Sequence, residues 1–157
     1  MVFDRFMARA PRWQDIAWLR AQTRLPLVLK GVLSPADAVR AKDEGVDGIA
    51  ISNHGGRTLD TLPAAIDALP RIADQVGDRL TLLLDGGIRR GTDILKAIAL
   101  GADAVMIGRP IVYGLAAAGA LGVAHVIRIL RDELEIAMAL TGCMTLDQAG
   151  PELLLRT

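Results

Sequence analysis

Four clusters of glycine, basic and polar residues could do chemistry: Lys30-Gly31, Ser52-Asn53-His54-Gly55-Gly56-Arg57, Asp85-Gly86-Gly87-Ile88-Arg89-Arg90-Gly91 and Gly108-Arg109-Pro110. In the second cluster, a neutral imidazole at His54 can take a proton from a hydroxyl or an alpha carbon. The guanidinium of Arg57, three positions on, can hold a carboxylate by two parallel hydrogen bonds. A lone loop histidine is more often structural, but the pairing with Arg57 between glycines reverses that preference. The third and fourth clusters supply glycine backbone that can approach an anion, with arginine forks that match phosphate oxygens. Either alone reads as a turn beside a solvated charge. Two in succession favour phosphate binding. Lys30 ends an apolar run, so its ammonium should face an anion or an electron-rich ring, with snorkelling to solvent as the equal alternative. His125 lies in a helical pattern and reads as packing or surface.

Each cluster directly follows a short apolar run: Leu25 to Leu29, Gly48 to Ile51, Leu80 to Leu84 and Ala104 to Ile107. These runs predict strands, and helical patterns between them predict a repeated βα rhythm. Ser34 and Pro35 mark a helix start, with Asp37 in its first turn and Gly45 closing it. Pro63 is expected to open the next helix, and Pro70 to interrupt it before Gly77. Thr92 and Asp93 precede a helix that carries Ile94, Leu95, Ile98 and Ala99 and stops at Gly101. A longer helix is predicted from about Val123 to Leu140, with Val126, Ile127, Leu130, Leu134 and Ala137 on one side. Runs that are apolar throughout imply parallel strands covered on both faces, with ligand groups at their carboxyl ends. Periodicity leaves open half of a (β/α)8 barrel or a small doubly wound sheet.

The chain has 157 residues, against roughly 250 for a complete barrel of this kind. Its 18 basic and 18 acidic residues balance, so no summed field draws it to nucleic acid or an anionic membrane. Any anion must be held by local geometry. Hydrophobic residues make up 52% and aromatics only 3%, so the core must be built from Ala, Val, Ile and Leu. The uncharged stretch from Pro110 to Ile127 carries Gly114, Gly119 and Gly122 and reads as packed helix and loop, not a transmembrane segment. Asp4, Arg5 and Arg9 interrupt the start, which does not resemble a secretion signal and points to the cytoplasm. The single cysteine, Cys143, excludes an internal disulfide and a cysteine metal cluster, and reads as a small buried hydrophobe. No metal site is expected. No linker is evident, and residues 1–157 are expected to form one domain.

Taken together, the segment Ser52 to Asp60, the segment Asp85 to Asp93 and the trio Gly108-Arg109-Pro110 closely resemble the FMN-dependent alpha-hydroxy-acid dehydrogenase family, of the glycolate oxidase and lactate oxidase type. The similarity runs from about Trp13 to Cys143. It implies an α/β fold, the C-terminal half of a TIM (β/α)8 barrel, with four parallel βα units equivalent to the fifth to eighth strands. The resemblance further implies FMN as cofactor and oxidation of an (S)-2-hydroxy acid to a 2-oxo acid. His54 would be the catalytic base and, with Arg57, would bind substrate. Lys30 would lie near the flavin ring, and Ser52 would contact it. Asp85, Gly86, Gly87, Ile88, Arg89, Gly108 and Arg109 would bind the ribityl and phosphate portions. Members of the family have an N-terminal half that contributes substrate-binding tyrosines and an aspartate supporting the histidine. This chain is therefore expected to pair, as a homo-oligomer or with a separate N-terminal half-barrel. The alternative is an incomplete half-barrel that binds FMN or self-associates without turnover. Other phosphate-binding barrels, such as inosine monophosphate dehydrogenase and type 2 isopentenyl diphosphate isomerase, share such loops. The first of these would require a cysteine in a strand-end loop, whereas Cys143 lies far downstream.

Overall fold

The structure, a computed structural model, describes residues 7–155; the expectation resting on Asp4 and Arg5 lies outside them. After helix α1 (Gln14–Gln22) come β1 (Val28–Val32), α2 (Pro35–Asp43), β2 (Gly48–Ser52), α3 (Ala65–Val76), β3 (Thr81–Asp85), α4 (Gly91–Ala99), β4 (Ala104–Met106) and α5 (Arg109–Thr141). The four strands form one parallel sheet in the order β1-β2-β3-β4. Consecutive strands are thus neighbours, joined by helical crossovers, as the βα rhythm requires.

Local chemistry explains most boundaries. Ser34 caps α2 by accepting a hydrogen bond from the Asp37 amide, with Pro35 in the first turn. Gly45 and Gly101 take φ of 78° and 101° just beyond α2 and α4, a backbone that glycine adopts without a Cβ clash. The first strand begins at Val28, three residues later than expected. Pro26 has no amide to give a ladder, and the Leu27 amide is already bonded to Asp47 Oδ2 at 2.7 Å. Helix α3 runs unbroken through Pro70, contrary to the expected interruption. One missing backbone bond is offset there by burial of Leu69, Ile72 and Val76, all at 0% exposure.

One sheet face is covered, not two. Leu29, Ile49, Ile51, Leu82, Leu84 and Val105 meet the helices. On the other face Val28 is 47% and Met106 36% exposed, because no element of the described chain crosses it. Helix α5 also departs from expectation. It leaves helical geometry at Ala118 and Gly119, and the backbones of Gly114 and Gly122 meet so closely that a Cβ at either would collide with the other. The chain therefore doubles back instead of continuing as one rod. By length and apolar composition α5 could cross a membrane, but it is broken at Ala118 and Gly119. The stretch Pro110 to Ile127 is thus helix, corner and helix, and largely exposed. Of the predicted stripe, Leu130 and Ala137 are buried while Ile127 is 53% exposed. Cys143 is buried just after α5, its Sγ 3.8 Å from the Gln148 carbonyl.

Two aspartates pin the amino ends of the strands in the same way. Asp47, entering β2, accepts the Leu27 amide, and Asp103, entering β4, accepts the Leu82 amide at 2.7 Å. Replacing Asp103 with alanine would leave the partly buried Leu82 amide unpaired. The expected loss of stability is about 1–3 kcal/mol, read as a lower urea midpoint at unchanged slope.

Candidate active site

The carboxyl ends of the strands converge on one rim. A cleft of about 620 Å³ there is lined by Lys30, His54, Arg57, Asp85, Gly86, Gly87, Ile88, Arg89, Gly108 and Arg109, with neighbours such as Met106 and Val112. Every sequence-derived site residue except Ser52 is on its wall. Ser52 is fully buried directly beneath it. Its hydroxyl donates to Asp85 Oδ2 at 2.7 Å and accepts from Lys30 Nζ at 3.2 Å and from the His54 amide at 3.0 Å. That hydroxyl is committed to linking three strand ends.

Lys30 does not stand alone: its ammonium lies 2.6 Å from Asp85 Oδ2. Burial by itself pushes the Asp85 carboxyl up. Hydrogen bonds from Lys30 and Ser52, with the charges of Lys30 and His54, outweigh it and hold the group below its ordinary value of 3.8. A lowered folded-state pKa contributes stability that is present above the unfolded value and is lost as pH falls through the folded one. Between about pH 6 and about pH 3 the urea midpoint of the native chain should therefore drop further than that of Asp85→Asn. Equal drops in the two proteins would show that Asp85 gains nothing from Lys30 and Ser52.

His54 is held in an uncommon backbone. Its φ is 56°, followed by 72° at both Gly55 and Gly56, three left-handed residues in succession. A left-handed conformation costs a non-glycine residue about 1–2 kcal/mol, and it persists only where surroundings impose it. The imposing groups are Ser52, which accepts the His54 amide, and Asn53, which accepts the Gly55 and Gly56 amides. Arg109, in the first turn of α5, donates from Nη2 to the Gly55 carbonyl at 2.6 Å, tying the fourth strand end to the second.

The loop after β3 is fixed from outside the cleft. Asp93 Oδ2 accepts the amides of both Arg89 and Arg90 at 2.9 Å. Glu133 of α5 accepts from the Gly91 amide and from Arg90 Nη1. Gly91 is required there because a Cβ would collide with the backbone of Glu133 and Leu134. Arg90 is thereby turned toward α5, while Arg89 lines the cleft. His125 is exposed on α5, away from the rim. The contributions of Asn53, Asp93 and Glu133 were not anticipated. An asparagine ahead of a glycine pair is a signal for a side-chain-closed turn, whereas nothing near Glu133 in the sequence marks it.

These residues and spacings match a known family. The family described as FMN-dependent dehydrogenase matches residues 1–156. The chain belongs to the FMN-dependent dehydrogenase family. It is 58% identical over 135 residues to a peroxisomal (S)-2-hydroxyacid oxidase of Arabidopsis thaliana, covering 86% of this chain and 37% of that protein. It is 51% identical over 154 residues to an L-lactate oxidase of a Roseobacter species, covering 98% of this chain and 42% of that one. Among solved structures, mandelate oxidase with benzoyl-formic acid superposes with a TM-score of 0.86 at 47% identity, over 88% of this chain and 42% of that one. The chain thus spans well under half the length of these relatives. Its four parallel βα units are a partial barrel of the FMN-dependent dehydrogenase fold.

Proposed function

We propose that this chain forms the FMN-holding part of an oxidoreductase that converts an (S)-2-hydroxy acid to a 2-oxo acid. The observation that carries the reading is the convergence of a cation, an imidazole, a loop arginine and two further arginines on one cleft. The residues present fit FMN. Gly86 and Gly87 have φ of 115° and 81°, and a Cβ at Gly87 or Gly108 would meet nothing within 4 Å, so backbone faces open space beside Arg89 and Arg109. Those arginines would hold the phosphate, with Asp85, Gly86, Gly87, Ile88 and Gly108 along the chain leading from it. Lys30 would place positive charge by the ring, tempered by Asp85. FMN, when bound, supplies the two-electron acceptor. Arg57 would fix the substrate carboxylate, and His54 would accept the proton released as the alpha carbon is oxidised.

The test is anaerobic. The chain with FMN is given lactate, glycolate or mandelate, alone and with a polypeptide supplying the remaining barrel strands, and flavin absorbance is followed. Bleaching supports the reading; no bleaching in any combination, with FMN bound, would leave a cofactor-binding half-barrel without turnover. That second reading is favoured by the open inner face. Because among the described residues β1 and β4 each have one strand neighbour and the face between them is uncovered, we also propose pairing, with another copy or with an N-terminal half. Light scattering on the chain alone should show self-association, and a well-folded monomer would overturn the pairing. FMN binding is expected to survive where turnover does not, since the anion loops are complete within the chain.

A further inference from the structure

Resting on the reading of His54 as the proton acceptor, we propose that Asn53 is the positioning residue that seats the imidazole against the end of the first strand. The seat itself is Gly31. A Cβ at Gly31 would lie 2.6 Å from His54 Nε2, 3.4 Å from Cε1 and 3.6 Å from Cδ2. The ring therefore occupies the volume that any larger residue would take. Gly31 has φ of 100° and stands where the β1–β2 register shifts between Lys30 and Val32. The bulge turns a glycine toward the histidine.

Holding the ring there requires a main chain that reverses over three left-handed residues, and one side chain closes that reversal at both ends. Asn53 Oδ1 accepts the Gly55 amide at 3.1 Å and the Gly56 amide at 3.2 Å, while Nδ2 donates to the Pro63 carbonyl at 3.2 Å. The Gly56 amide also bonds to the Asn53 carbonyl at 3.0 Å. Asn53 thus defines the turn that carries His54 and anchors the far end of the loop containing Arg57. Its Oδ1 faces Gly86 of the neighbouring loop, 3.8 Å from where a Cβ would be. An aspartate could keep the two accepted bonds but not the donated one. An alanine keeps none.

The chain has two histidines, so His54 can be followed by NMR with His125→Gln to assign it. In the native chain an NOE is expected between the His54 ring protons and Gly31 Hα. Asn53→Ala should lose it, and Asn53→Asp should restore it; a merely structural role would lower stability without separating these two variants. An undiminished NOE in a folded Asn53→Ala protein would overturn the proposal. Should that variant fail to fold, amide exchange in the native chain decides: the Gly55 and Gly56 amides should exchange at least about tenfold more slowly than the Gly87 amide, and equal rates would overturn it. These readouts report position, not turnover. Failure of the base reading would appear separately, as full turnover in His54→Ala.

Discussion

Alanine in place of His54 should slow anaerobic flavin reduction by a 2-hydroxy acid about 10²–10⁴-fold, the range for loss of a positioned proton acceptor. FMN affinity should be unchanged, because the imidazole lies at the Gly31 end of the cleft and the arginines Arg89 and Arg109 approach it from the third and fourth strand ends. The measurement is a single-turnover bleaching rate in the reconstituted enzyme, with FMN affinity determined in parallel by fluorescence quenching. If reduction stayed within a small factor of the native rate, proton acceptance would have to lie elsewhere. The strained φ of His54 would then need another explanation.

The second large effect concerns the anion. Each charge-assisted hydrogen bond contributes about 1.5–3 kcal/mol, so removing both Arg89 and Arg109 should weaken FMN binding by about 10²–10⁴-fold. Riboflavin, which lacks the phosphate, provides the control: the Arg89→Ala single variant should leave its affinity unaltered. Arg109→Ala should behave less simply, because its guanidinium also bonds the Gly55 carbonyl. It should therefore weaken FMN binding and disturb the His54 loop together. Equal losses for FMN and riboflavin in Arg89→Ala would remove the phosphate assignment.

Much of this site was legible in the sequence because strand-end chemistry is local. The His54-Gly55-Gly56-Arg57 segment and the Asp85 to Gly91 loop announce themselves through contiguous residue types, and strand polarity then places them on one rim. Groups that act across the fold were not legible. Glu133 reaches the Gly91 amide from 42 residues away. The misjudged strand start at Val28 has the same origin, since Asp47 claims the Leu27 amide from 20 residues downstream. The continuity of α3 across Pro70 shows burial overriding a local breaker. The expectation of two covered sheet faces failed because continuous apolar strands record what a surface packs against in the complete fold, and part of that fold is not in this chain.

The paired aspartates Asp47 and Asp103 add two fastenings to the sheet at the end remote from the cleft. Residues on the rim can therefore be exchanged without loosening those two fastenings. Such a division leaves one scaffold open to many chemistries, provided its two acidic anchors are kept.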